Sequence, residues 1–529
     1  MKSTRLFPIV VVSRVLVAGF ALTGALAPEL HAATIIPVTN TFDSGSGSLR
    51  DALAIANNGD TIDATGVSGT IRLMTGALVV DKNVTISGPG ATRLSINGRG
   101  QMRILEISND GNQGIVEISG VSIENGQGDM VLGAGVRIEG RSSLRLQKSD
   151  VKNNRARVGG VGITNYGYLE LIACNVIGNT SSRGPGSEVE HAGGILNYGE
   201  AHIIASMINN NCGLRGGGIE NISDVAHRGL LAISGSTLSG NHAAQGGAII
   251  NHGHLYISTS TIDSNMAAVP RLCDGVENNT PPRRWNGGAI SNGDNATKTG
   301  DIHIRLSTIS NNHALRGGGI ENLGYAEIFN STISGNSAAR GGAIYNTGPA
   351  RCCPLVGKVD INFSTITDNS VTYDSHILLE PSVGGGIDNE ALVNMGSTIL
   401  ADNMAHAGEL YSPDCFSRTD HSNASAISER NNVVGVINEN CNLEDYFWGD
   451  LRFDQHGTEG QPLEPWPGPP PGPPPLANNG GPTKTHALFQ GSPAINSVIH
   501  GPVECPETDQ RGRLRPAGPH CDAGAFEFP

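Results

Sequence analysis

The sequence predicts an all-β chain wound as a right-handed parallel β-helix, with a short helix capping its N-terminal end. Three observations carry this expectation. Glycine supplies 72 of 529 residues while aromatics supply only 4%, so a core of the ordinary globular kind, built on large side chains, is not available. The apolar residues are mostly single Ile, Val, Leu and Ala set among Gly, Ser, Thr and Asn, which suits a narrow core filled by many short strands. Two phrases also recur and share one shortest period, and no helical window separates them.

The first phrase is a glycine pair followed by Ile-x-Asn, as in GGILNYG, GGGIENIS, GGAIINHG, GGAISNGD, GGGIENLG, GGAIYNTG and GGGIDNEA. Its asparagines include Asn165, Asn197, Asn221, Asn251, Asn292, Asn322, Asn346 and Asn389. The second phrase is STISGN and its variants, ending at Asn241, Asn265, Asn312, Asn336 and Asn369. The closest copies of either phrase lie 24 residues apart, as at Asn322 and Asn346 or at Asn312 and Asn336. A 24-residue unit of strands and turns is one coil, each strand pairing with its equivalent about 4.8 Å away in the next. Ile219, Ile320 and Ile344 then point inward and stack, and the glycine pairs permit positive φ. The recurring asparagines bond to one another in ladders, and Ala243, Ala267, Ala314 and Ala338 fill inward corners. Wider spacings mark insertions at roughly 181–191, 267–285, 349–358 and 370–383, which in a solenoid leave from turns and tend to collect on a binding face.

The ends differ from the repeat. Residues 1–32 read as a secretory signal: Lys2 and Arg5, an apolar stretch Val15–Ala27, then Ala32 and Ala33. No span is expected to cross a membrane once it is removed. The segment Ser48–Asn58 places Leu49, Ala52, Leu53 and Ala56 at helical spacing, with Ser48 as N-cap and Gly59 as a stop. It opens a cap-and-first-coils region, 33–105, followed by repeats over 106–440 and a C-terminal domain over 441–529. That last domain contains a Pro-rich insertion at 462–476, read as a stiff spacer.

Charge and cysteines narrow the function. The net charge is −14 with no Lys/Arg run, which excludes a nucleic-acid partner of the usual clustered-cation kind. The nine cysteines suit an oxidising compartment. Cys415 with Cys441, and Cys505 with Cys521, each enclose a loop-rich segment and are the expected disulfides. The pairing of Cys174, Cys212, Cys273, Cys352 and Cys353 is left open. Zinc is not expected, because finger-like ligand spacing is missing.

Several motifs resemble known bacterial surface proteins. GSLRDALAIANNGDTI resembles the N-terminal Ser-Leu-Arg-Glu-Ala motif of bacterial β-helix proteins, with Asp51 in place of Glu. The Gly-Gly-Ala-Ile repeats are similar to those of chlamydial polymorphic outer-membrane proteins. The tail NNGGPTKTHAL, GSPAIN, DQRG and CDAGAFE looks like the choice-of-anchor Q domain that follows such helices. The resemblance implies a pectin-lyase-like solenoid, export, and a place at the cell surface or outer membrane of a bacterium. The sequence ends at Pro529 with no anchor motif after this domain, so release or non-covalent retention is expected, as a monomer.

The leading expectation is an adhesin or glycan-binding surface without catalysis, its partner a polysaccharide or a cell-surface protein. The alternatives are a polysaccharide lyase or glycoside hydrolase on the same fold, and a passive spacer. Glycosidases need two carboxyls roughly 5–9.5 Å apart. In the variable position of the first phrase, Glu220 and Glu321 stand three coils apart, roughly 14 Å, and Glu321 and Asp388 two coils apart, roughly 10 Å. Glu321 and Asp388 are therefore the catalytic candidates. The polygalacturonase phrases Asn-Thr-Asp, Asp-Asp, Gly-His-Gly and Arg-Ile-Lys do not occur. His252 and His254, at i and i+2, would share one side of a strand and are candidates for binding. So are Arg283, Arg284 and Trp285 in the second insertion. A Ca²⁺ site would need several converging acids, no such cluster is visible, and no cofactor is expected.

Overall fold

The computed structural model describes residues 32–109, 114–128, 132–156, 160–181, 192–224, 227–267, 273, 286–293, 300–347, 357–372, 383–405, 414–417, 425–428, 431–435, 443–444, 451–452, 474–499 and 505–529. The chain winds as a right-handed parallel β-helix, the hand that parallel crossovers adopt. Among the described residues sheet A has 15 strands, sheet B 14 and sheet C 12, with short two-residue strands making a fourth face, D. Every pairing between named strands is parallel and joins one coil to the next; a typical coil runs Ile320–Asn322 in C, Tyr325–Phe329 in A, Thr332–Ser334 in B and Ser337–Ala338 in D.

The repeat phrases explain each layer. Ile219, Ile249, Ile290, Ile320, Ile344 and Ile387 lie in exact register down sheet C, and one apolar core runs from Val38 to Val434. Gly317, the first glycine of its pair, has φ +61°, and a Cβ there would sit 2.3 Å from the Ile320 carbonyl oxygen. The corner after sheet B also turns through the left-handed region, at Asn311 and Gly335 among others, residue types that tolerate it. Both asparagine families form ladders inside the coil. Asn165, Asn197, Asn221, Asn251, Asn292, Asn322 and Asn346 each donate to the next member at 2.7–2.9 Å, ending on Asn389. The second ladder includes Asn241, Asn265, Asn312, Asn336, Asn369 and Asn403 and ends on Asp414.

The N-terminal cap is the helix α1, Leu49–Ile55, shorter than the predicted segment because Ala56 already has extended backbone angles. Ser48 Oγ accepts from the Asp51 N–H, and Leu49, Ala52, Leu53 and Ala56 are buried over the open end of the core. Arg50 fastens the cap to the first coils: its guanidinium lies 2.8 Å from Asp43 and donates to the Gly76 and Ala77 carbonyls.

The C-terminal segment packs on the outer face of sheet B. Thr308, Thr332 and Thr365 are buried, whereas their register equivalents Thr237 and Thr261 are half exposed. Gln510 is the main tie: its amide donates to Ser307 O and Thr308 Oγ1 and accepts from Thr332 Oγ1. Phe363, Ile399 and Val433 form an apolar cluster with Leu488, Val498 and Phe526. The predicted Cys505–Cys521 disulfide is present, and a Cys212–Cys273 bridge, left open by the sequence, ties the second insertion to the coil. Cys415 is disulfide-bonded; Cys441 lies outside the described residues. Cys174 is a buried free thiol that takes a place held by serine in later coils, where Ser206 and Ser236 bond to the next turn.

His486 is enclosed in this docking interface, with Nε2 2.8 Å from Ser334 Oγ and Nδ1 2.6 Å from the Pro474 carbonyl. Asp368 is the charged group facing it, 3.8 Å away. Burial holds the imidazole below its ordinary value of 6.5, against the opposing pull of Asp368 and the Pro474 carbonyl. A folded value below the unfolded one means the unfolded chain takes up the proton first as pH falls. The stabilisation is therefore complete above pH 6.5 and is lost as pH falls toward the folded value. Hydrogen-exchange protection of residues 484–488 and 508–511 should drop as pH falls below 6.5, and less so in His486→Gln. Protection that is flat across this window would rule out the titration.

Candidate functional face on sheet A

From Ser143–Gln147 to Leu392–Gly396 each sheet A strand has five residues, and alternation sends the first, third and fifth outward while the second and fourth enter the core. Four successive strands, HLYIS, DIHIR, YAEIF and KVDIN, are in register, pairing His254 with Asp301, Tyr325 and Lys358, and Tyr256 with His303, Glu327 and Asp360. The outward positions thus make a continuous file of aromatic and charged side chains on a straight parallel sheet.

Within the file the groups are linked. His254 Nδ1 is 3.2 Å from Asp301, and His303 lies between two carboxylates, with Nε2 3.3 Å from Asp301 and Nδ1 2.6 Å from Glu327. Arg305 reaches Glu327 at 3.1 Å. The Tyr256 ring stacks on His303, with centroids 5.1 Å apart and planes 5° from parallel, and stays 44% exposed. One coil further, Asp360 accepts from Tyr325 Oη, Lys358 Nζ and Asn394 Nδ2 at 2.7–2.9 Å. Burial raises the Glu327 carboxyl, but hydrogen bonds and charges from His303 and Arg305 outweigh it and hold the group below its ordinary value. Burial and the Asp360 hydrogen bond push the Tyr325 phenol upward. The face is thus charged, internally neutralised and open to solvent.

The outer side of sheet C is different. Glu321 is 3% exposed and Asp388 is fully buried. Glu321 accepts from Asn286 Nδ2 at 2.6 Å and Ser291 Oγ at 2.7 Å. Asp388 pairs with Arg340 at 2.6 Å, and Arg340 also reaches Glu390 at 2.7 Å. Tyr345 stands between the two acids in the register, so they are held two coils apart, roughly 10 Å. Each has its own buried partners, and the fold does not bring them together around a shared space.

The two histidines also separate. His252 lies in the turn between Ile249–Asn251 and His254–Ser258, where strand alternation does not apply. It is 4% exposed, with Nε2 3.2 Å from Arg215, the partner of Glu220 beside sheet C. His254 joins the sheet A file, so the two do not share a side. Arg283, Arg284 and Trp285 lie outside the described residues. Among the described residues no three His, Cys, Asp or Glu converge as metal ligands. The sheet A residues Tyr256, Asp301, His303, Tyr325, Glu327, Lys358 and Asp360 were not singled out from sequence, although aligning the five-residue runs and taking alternate positions would have shown them.

No family model matches the chain, and no curated protein matches it by sequence. Among solved structures it is similar to a mannuronic-acid-specific polysaccharide family 6 lyase from human gut microbiota, at 10% identity and a TM-score of 0.37, covering 79% of this chain and 91% of that one. It is also similar to a mutant of the family 6 alginate lyase AlyGC, at 12% identity and a TM-score of 0.29, covering 79% of this chain and 53% of that one. At these scores the likeness assigns neither a residue nor an activity.

Proposed function

We propose that the protein binds a polysaccharide along the outer face of sheet A and acts outside the cell as a glycan-binding or adhesive surface. The observation that carries this is the exposed file from His254 and Tyr256 to Lys358 and Asp360. An aromatic face offers a stacking surface for a sugar ring, and flanking carboxylates, imidazoles and cations can bond its hydroxyls. The coil spacing sets successive groups of the file about 4.8 Å apart along the β-helix, a run suited to an extended polymer. The disulfides Cys212–Cys273 and Cys505–Cys521 suit an oxidising compartment.

A second reading, cleavage of the bound chain, is favoured by one feature: Glu327 and Asp360 are register neighbours on adjacent strands, a backbone spacing of roughly 5 Å compatible with a retaining pair. Against it, both carboxylates are already engaged by cations or hydrogen-bond donors, and both nitrogens of His303 face carboxylates. A general base needs a free acceptor within reach of the substrate, so binding is the better supported reading.

The test is a panel of neutral and acidic polysaccharides, followed for bound polymer and for new reducing or unsaturated ends. Binding without new ends is expected, with Tyr256→Ala weakening it by about tenfold, the loss of one stacking contact. New ends that vanish in Glu327→Gln or Asp360→Asn would establish the second reading. No binding to any member, or binding indifferent to Tyr256→Ala, would sink the proposal and point to a protein partner or a spacer.

A further inference from the structure

A separate groove lies on another side of the β-helix, along the corner between sheet B and face D in the early coils. It has a volume of about 620 Å³ and is lined by Arg99, Asn125, Gln127, Asn153 and Arg155, ending at Thr180. Its floor follows a corner where Gly100, Asn125, Asn153 and Gly178 all have positive φ, so the backbone turns tightly and leaves side-chain amides at the rim.

The chain carries −14 overall, and against that background this groove brings two arginines together. Several described arginines meet acids, as Arg50 does Asp43, Arg103 does Glu106 and Arg340 does Asp388; these two do not. Arg99 and Arg155 are both exposed, and their guanidinium groups make no ion pair or hydrogen bond among the described residues. The neighbouring acid Glu124 does not neutralise them: it lies 3.5 Å from Lys152 and accepts from Asn97 Nδ2 at 3.3 Å. Among the described residues the groove therefore carries two positive charges with no acid paired to them.

The register fixes their spacing. Asn97 aligns with Glu124, Glu124 with Lys152, and Gln127 with Arg155. Arg99 and Arg155 thus stand two coils apart, roughly 10 Å at the strand spacing. One coil step is close to the length of one pyranose in an extended chain, so the two guanidiniums match acidic groups on sugars two units apart. A planar guanidinium holds a carboxylate or sulfate through paired N–H bonds, and the amides of Asn125 and Asn153 suit the hydroxyls between.

We infer that this groove is a second glycan site, specific for an acidic saccharide and independent of the sheet A face. The full chain would be titrated with oligogalacturonate for carboxylates, a heparin oligosaccharide for sulfates, and an uncharged oligosaccharide of equal length. At least one acidic ligand should bind, more weakly as salt rises. The double variant Arg99→Ser/Arg155→Ser should lose about tenfold or more in affinity, with an unchanged unfolding midpoint because both side chains are exposed. Arg99→Lys/Arg155→Lys should fall between. The arm that binds tells carboxylate from sulfate. The site is disproved if neither acidic ligand binds, or if the double variant binds them as the parent does. Equal binding of single-stranded DNA, lost in the double variant, would overturn the glycan assignment in favour of a general polyanion.

Discussion

Replacing Asp388 by alanine should destabilise the protein by about 3–5 kcal/mol, the cost of removing one partner from a buried ion pair. Asp388 is fully buried, and the guanidinium it holds at 2.6 Å is itself 3% exposed. After the substitution Arg340 keeps its charge, since no accessible pH discharges a guanidinium. It then has Glu390 at 2.7 Å and the Tyr345 ring, 4.8 Å from its carbon, as remaining partners whose contacts are known. The loss should appear as a lowered urea midpoint with an unchanged slope. Replacing both partners, as Arg340→Met/Asp388→Leu, should recover much of it, because the pair's own desolvation cost is then removed as well. A destabilisation below about 1 kcal/mol, the worth of an exposed pair, would mean that solvent reaches the pair. Selective loss of polysaccharide cleavage at unchanged stability would restore Asp388 as a catalytic acid.

The same acid shows how far the sequence could be read. The variable position of the Gly-Gly-x-Ile-x-Asn phrase points away from the core, which the phrase itself implies. Whether that outer position meets water depends on what covers sheet C, and no short-range pattern encodes that. The core and the ladders were legible because identical residues recur where identical neighbours await them, as with Ile320 over Ile344 and Asn322 bonded to Asn346. The sheet A file was harder to see because its members are unlike one another and unevenly spaced: His254 touches Asp301 across 47 residues, while His303 meets Glu327 across 24. The docking of the C-terminal segment leaves only a partial mark in sheet B, where Ile399 and Val433 stand at the threonine position of the last coils. Thr332 beneath Gln510 and Thr261 facing solvent belong to the same phrase, and only the tail's own residues distinguish their surroundings.

Asn336→Leu is the second substitution expected to have a large effect, at least about 3 kcal/mol from three or more buried polar groups losing partners. Its Oδ1 accepts from both the backbone N–H and the side-chain amide of Asn312, at 3.0 and 2.9 Å. Its Nδ2 donates to the Ile309 carbonyl at 3.0 Å and to Asn369 at 2.9 Å. Leucine keeps the branched four-atom skeleton but is bulkier and supplies none of these bonds, so polar groups in the coils on either side are left unsatisfied in a site without solvent access. Asn336→Asp should fail for a different reason, since an interior ladder member must donate as well as accept and a carboxylate cannot donate. The end of the ladder supports this logic: Asp414 stands where the next asparagine would be and accepts from the backbone and side chain of Asn403 at 3.0 and 2.9 Å. Because each coil touches only its neighbours, the damage should be local. Hydrogen-exchange protection should fall first in the coils of Asn312 and Asn369, with the cap near Leu53 little changed. Uniform loss of protection along the chain would instead show that the β-helix unfolds as one cooperative unit.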